Sequence, residues 1–149
     1  MPPSDYVLRA CEFRDLAQVG QIEKASFPER PYGRLDFVSF LLVDRQGFIV
    51  ASKDGLVVGY VVALSRKREG WVQSIAVSPE FRGKGVGEML MRAAVAHLAG
   101  KSERMLLLVD VNNEEAIRLY RKLSFEATGR VVKEYYPNGH DAVEMARGL

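Results

Sequence analysis

Arg82-Gly83-Lys84-Gly85-Val86-Gly87 combines three glycines with two cations just ahead of a stretch with helical periodicity. Glycines let a turn expose its backbone N–H groups, and the positive end of a following helix adds to them, so the chemistry on offer is the grip of a phosphate or diphosphate. Spacing excludes two common versions of such a site. A dinucleotide fingerprint needs Gly-x-Gly-x-x-Gly, and after Gly85-x-Gly87 its third glycine falls on Leu90; a P-loop needs Lys-Ser or Lys-Thr after its last glycine, and Gly87 is followed by Glu88. Further along, Asn113 and Tyr120 fall near one face of a helix, about two turns apart. A phenol that is neutral at neutral pH can give a proton to developing negative charge. Tyr135-Tyr136 beside Pro137-Asn138-Gly139 offers apolar area with hydroxyl tips, which suits recognition, although aromatics also suit a strand.

Composition narrows the field. With 149 residues and 48% hydrophobic content, residues 1–149 read as one domain with a proper core. No apolar run approaches the roughly 18 residues of a membrane span, and Met1-Pro2-Pro3-Ser4-Asp5-Tyr6 lacks the layout of a signal peptide, so a soluble, cytoplasmic protein is expected. Cys11 is the lone cysteine and the two histidines, His97 and His140, are far apart, so no metal site is expected. The formal charge of +2 argues against a nucleic-acid partner, and Arg66-Lys67-Arg68 reads as a solvated loop. His140 reads as an exposed turn residue and His97 as a surface or boundary one.

The elements that must position these residues follow from periodicity. Tyr6 to Arg9 reads as a first strand, and Asp15 with Gln18 as the capping pair of a helix running through Leu16, Val19 and Ile22 until Pro28 breaks it. A second helix is expected near Leu35 to Leu42. Phe48 to Ala51 and Leu56 to Leu64 read as strands joined at Asp54-Gly55, and Trp71 to Val77 as the next. Met89 to Leu98 reads as an amphipathic helix stopped by Gly100, Met105 to Val111 as a buried strand, and Glu114 to Leu123 as a helix capped by Asn112 or Asn113. Val131 to Tyr136 and Ala142 to Met145 close the chain as strands. The order β-α-α-β-β-β-α-β-α-β-β predicts an α/β (α+β) domain, a mixed sheet flanked by helices.

Gln73 to Gly87, containing Arg82-x-x-Gly85-x-Gly87, resembles the acetyl-CoA segment of the GNAT superfamily, and Asn113-Glu114-Glu115-Ala116-Ile117-Arg118-Leu119-Tyr120 with Phe125 resembles the segment that follows it there. The resemblance implies a mostly antiparallel seven-stranded sheet with four helices, and acetyl-CoA as cosubstrate without a metal. It also implies that N–H groups of Arg82, Gly83, Lys84, Gly85, Val86 and Gly87 hold the pyrophosphate, with pantetheine along Ile75, Ala76 and Val77. Asn113 would bind pantetheine or a water, and Tyr120 would protonate the departing thiolate. Ser124 replaces the family's usual glycine and puts the local turn geometry in question.

Ser26 to Tyr32, Glu134 to Gly139 and Asp141-Ala142 with Met145 narrow the resemblance to protein N-terminal acetyltransferases of the ribosomal-protein-alanine and archaeal types. This implies a peptide groove lined by Phe27, Pro28, Glu29, Tyr32, Tyr135 and Tyr136, with a protein or peptide N-terminus as acceptor; a monomer or weak homo-oligomer is expected, a state the residues themselves do not display. An α-amine, with a pKa of about 8, needs only a modest base, where a lysine near 10.4 needs a strong one. Positioning and a strand N–H near Ile75 to Val77 would supply most of the catalysis. Relatives place Glu or His at a position that here is Leu108, which cannot take a proton. Glu29 and Asp110 are the substitutes. Glu29 is favoured, with the expectation that Glu29→Gln lowers kcat at least about tenfold; the alternatives are that it orients the amine and that Asp110 caps the following loop.

Overall fold

The computed structural model of the chain describes residues 5–149; residues 1–4, read above for the absence of a leader pattern, lie outside them. In chain order the elements are β1 (Val7–Ala10), α1 (Leu16–Ser26), α2 (Arg34–Val43), β2 (Phe48–Lys53), β3 (Leu56–Arg66), β4 (Glu69–Val77), α3 (Val86–Leu98), β5 (Arg104–Asp110), α4 (Glu114–Lys122), β6 (Glu126–Val132) and β7 (Ala142–Gly148). The strands form one sheet in the order β1-β2-β3-β4-β5-β7-β6, antiparallel throughout except between β4 and β5. Helices α3 and α4 cover one face through Leu90, Met91, Ala94, Leu98 and Tyr120. On the other face α1 and α2 cover an aromatic cluster of Phe37, Phe48 and Tyr60. Burying a sheet on both faces accounts for the long apolar runs in β3 and β5.

Local signals place most boundaries. Asp54 and Gly55 take φ of +51° and +80°, as a two-residue hairpin turn requires. Asn113 caps α4 by accepting from Ala116 N at 3.2 Å, with Glu114 and Glu115 in the first turn and Arg121 and Lys122 in the last, all aligned with the helix dipole.

Three expectations need correction. Asp15 does not cap α1 with Gln18: its carboxylate pairs with Arg9 at 2.6 Å and accepts from Glu12 N, while Gln18 Oε1 takes Val57 N at 2.9 Å. Tertiary partners outcompete the local one. Tyr135 and Tyr136 are not in a strand, because β6 stops at Val132 and Glu134 turns the chain with φ +51°. The sequence reading starts β6 late because this edge strand is exposed almost throughout and so lacks an apolar alternation.

One feature of the sheet opens it. Strands β4 and β5 pair only from Glu69–Trp71 against Arg104–Leu106. Beyond that, β4 stays with β3 as far as Val77↔Gly59 and β5 stays with β7 as far as Asp110↔Ala142. The β3–β4 register jumps from Ala63↔Val72 to Val62↔Ser74, which leaves Gln73 as an extra residue in β4. Such a bulge bends a strand and increases its twist. The sheet therefore splits into a V whose arms end at Val77 and Asp110.

Candidate active site

The turn after β4 leads into α3 at the first arm of the V. Gly83 and Gly85 have φ of +74° and +86°, conformations costly for any residue with a Cβ. Among the described residues, no N–H from Gly83 to Glu88 donates to another protein group; Met89 N is the first, reaching Gly85 O at 3.1 Å. Unpaired N–H groups on an exposed turn at a helix N-terminus suit a diphosphate. Gly87 is different: a Cβ there would meet Leu119 and Val77 only at 3.8 and 3.9 Å, so protein packing does not demand glycine. The Arg82 side chain is turned back, with Nε on Val77 O at 2.9 Å and a terminal nitrogen on Ser26 Oγ at 3.0 Å. It ties the end of β4 to the end of α1. Lys84 lies over the Phe81 ring at 5.6 Å.

Ile75 and Val77 face the α3/α4 layer and Ala76 the α1/α2 layer, so the free edge of β4 runs between the two cores. Tyr120, on α4, shares the first core with Ile75 and Val77 and is 8% exposed. Burial pushes its phenol up to about 12, so it stays protonated over the whole working range of an enzyme. Asn113 spends its carbonyl oxygen on the helix cap.

Two loops flank the split. Tyr32, between α1 and α2, accepts from Gln73 Nε2 at 2.8 Å and packs edge-on against Phe37 and Phe40. Tyr135 and Tyr136, between β6 and β7, pack edge-on at 5.0 Å. The loops approach each other: Tyr32 is held above the usual phenol range by burial and also feels Tyr135, while Tyr136 is raised by burial and feels Tyr135, Asp110 and Tyr120. The structure thus sets Tyr32 near Tyr135, and Tyr136 near Asp110 and Tyr120, about the split of the sheet. It leaves Phe27, Pro28 and Glu29 exposed, and Glu29 makes no hydrogen bond or ion pair among the described residues.

Several partners were not legible in the sequence. Glu23 is buried at 2% exposure, accepting from Tyr60 OH, from Ser74 Oγ at 3.2 Å and from Tyr32 N at 2.9 Å. It anchors the Tyr32 loop to the sheet. His140, read as an exposed turn residue, is instead bonded through Nδ1 to Asp110 Oδ2 at 2.8 Å. The antiparallel pairing of Asp110 with Ala142 brings them together. Asp110 also takes Asn112 N at 2.9 Å, so the expected loop cap is present. Burial raises its pKa, but the bonds from Asn112, His140 and Asn138 outweigh it and hold the carboxyl below the usual range. Opposite Leu108 in the register stands Glu144, which is turned to β6 and engaged by Thr128 at 3.0 Å and Arg130 at 2.9 Å. Among the described residues no cluster of three or more His, Cys, Asp or Glu could hold a metal, and no helix is long and apolar enough to cross a membrane.

A split sheet with a turn of unpaired N–H groups on one arm and a buried, protonated tyrosine beside it suits group transfer from a phosphate-bearing carrier. Comparison with known proteins agrees. The chain belongs to the acetyltransferase (GNAT) family, whose profile matches residues 12–125. It is 36% identical to an N-alpha-acetyltransferase of Saccharolobus solfataricus, over 97% of this chain and 94% of that one. It is 35% identical to a putative ribosomal protein bS18 alanine N-acetyltransferase of Bacillus subtilis, over 93% and 92%. The crystal structure of Ard1 from Thermoplasma volcanium superposes with a TM-score of 0.90 at 27% identity, covering 97% of this chain and 98% of that one. The expected fold and the acetyltransferase class both stand.

Proposed function

We propose that this acetyltransferase acts on the N-terminal α-amine of proteins or peptides, in the cytoplasm, as a monomer or weak homo-oligomer, with acetyl-CoA as donor. The observation that carries the reading is that the split of the sheet is flanked by tyrosine-bearing loops, with Tyr32 bonded to Gln73 of β4 and the Tyr135-Tyr136 loop tied through His140 to Asp110 of β5. An extended peptide laid between them meets apolar faces and hydroxyl tips, with its first amine toward the split strands. Phe27 and Pro28 line the first-residue pocket, and Glu29 stands beside it. The similarity to the archaeal and bacterial N-terminal enzymes supports the same acceptor.

Acetyl-CoA supplies the activated thioester. The chain's part is to hold the diphosphate on N–H groups from Arg82 to Gly87, to run pantetheine along Ile75, Ala76 and Val77 with Asn113 on its other side, and to polarise the carbonyl with a strand N–H. Tyr120, kept neutral by burial, delivers its proton to the sulfur leaving group. Alignment of amine and thioester in a ternary complex contributes the largest share.

Mass spectrometry of a peptide panel varied at its first two residues, incubated with protein and acetyl-CoA beside polyamines and aminoglycosides, tests the acceptor. Acetyl on peptide α-amines is expected. Acetyl on the small amines alone would overturn the peptide reading.

A further inference from the structure

Five acids or bases near the cleft are poor acceptors for the proton that the ammonium form of the acceptor must lose. Leu108 leaves the usual position without an ionisable group. Glu144 beside it is turned to β6. Glu23 is enclosed by three donors on the far side of Tyr32. Tyr120 and Tyr136 are held protonated by burial. Asp110 is held as a weakly basic carboxylate by its own hydrogen bonds.

Glu29 and the His140 ring remain, and of the two only His140 is held in place by a side-chain partner at the end of β5. Its side chain is 39% exposed and that of Asp110 22% exposed, so the pair lies at the water-accessible mouth of the V. An ionised Asp110 can only accept, so His140 Nδ1 carries the hydrogen and Nε2 presents its lone pair. No other group bonds Nε2 among the described residues. The ring is held from both ends of its loop: His140 N donates to Asn138 Oδ1 at 2.9 Å, and its carbonyl accepts from Tyr136 N at 3.2 Å. Around it the charged and titratable groups are Asp110 from β5, Tyr136 from the same loop, and Asp141, which is paired with Lys133 at 3.3 Å and accepts from Glu134 N.

We infer that His140 takes the proton from the acceptor ammonium onto Nε2, directly or through one water, and that Asp110 is the positioning residue that fixes the ring and stabilises its charged form. This rests on the proposed acetyl transfer to an amine. The protons balance. One passes from the ammonium to His140 and on to solvent; as the N–C bond forms and the C–S bond breaks, Tyr120 protonates the sulfur and regains its proton from the second amine hydrogen. Glu29 is then left to orient the amine.

The test is the pH dependence of kcat for the full-length protein at saturating acetyl-CoA and peptide. Without a base only the neutral amine reacts, which for a pKa of about 8 is about a tenth of it at pH 7. His140→Gln should therefore lower kcat about tenfold at pH 7, approach wild type above about pH 9, and carry an acid limb moved up to about pH 8, with the Kd for acetyl-CoA unchanged. Asp110→Asn should move the wild-type limb to lower pH, an effect that decides the matter if His140→Gln does not fold. His97→Gln, which breaks a comparable pair with Asp44 at the far end of α3, should leave the limb in place. An unchanged profile in His140→Gln overturns the inference, as does a deficit equal at every pH, or loss of the limb in Glu29→Gln instead. If wild type acetylates a small amine and no peptide, the peptide reading fails and the same profile on that amine still decides His140. Acetylation of neither overturns both.

Discussion

The two halves of the cleft are made of different materials. The half proposed to hold the donor is backbone: a turn of six consecutive residues whose shape is set by Gly83 and Gly85 at positive φ and by the start of α3. The half proposed for the acceptor is side chains, carried on loops far apart in sequence and each anchored to the sheet, Tyr32 by Gln73 of β4 and His140 by Asp110 of β5. A backbone site tolerates change around it and fails when a dihedral is forbidden. A side-chain site depends on every anchor that holds its loops. Damage to one half should therefore appear in the constants for one substrate only.

Tyr120 joins the halves, so its loss should be the largest. Tyr120→Phe keeps the packing against Phe125 and removes the hydroxyl proposed as proton donor. We expect kcat to fall about a hundredfold or more, with both KM values near wild type; since the phenol sits at about 12, no alkaline limb below about pH 10 belongs to it. A KM effect as large as the kcat effect would make Tyr120 a binding group.

Gly85→Ala forces a Cβ into φ +86° at a cost of about 1–2 kcal/mol. About a tenfold rise in the Kd of acetyl-CoA is expected by calorimetry, with acceptor KM unaffected. The converse variant is Tyr32→Phe, which breaks the bond from Gln73. It should raise acceptor KM about threefold to tenfold and leave acetyl-CoA binding alone. Equal effects on both substrates from either change would erase the contrast between the halves.

The smallest effect belongs outside the cleft. Ser124 takes φ +73° at the end of α4, the left-handed position that glycine fills best. Ser124→Gly should raise stability by up to about 1 kcal/mol, read as a higher melting temperature, without altering either KM. The departure from the family pattern thus costs local strain while the turn itself is retained.

What could be read beforehand follows the same division. Element order, the glycine turn, an asparagine cap at 112 or 113 and Tyr120 on its helix all rest on interactions spanning a few residues, so spacing along the chain specified them. The side-chain partners of Asp15 and Gln18, the length of β6 and the location of Tyr135-Tyr136 are not legible, because exposure or distant partners removed the local signal. Glu23 looked like one more polar residue on α1, and nothing near it in sequence announces Tyr60 and Ser74. His140 looked like turn punctuation because its partner is 30 residues earlier.

By itself the sequence determined a mixed sheet with four helices and a glycine turn ahead of α3, because periodicity, capping and positive φ are properties of short segments. Only the tertiary structure decided where the sheet splits, through the extra residue Gln73, and which side chains meet at the opening. Strand register aligns Asp110 with Ala142 and so sets His140 against a carboxylate. Register is a global minimum of burial over both faces of the sheet, and no local stretch of residues contains it.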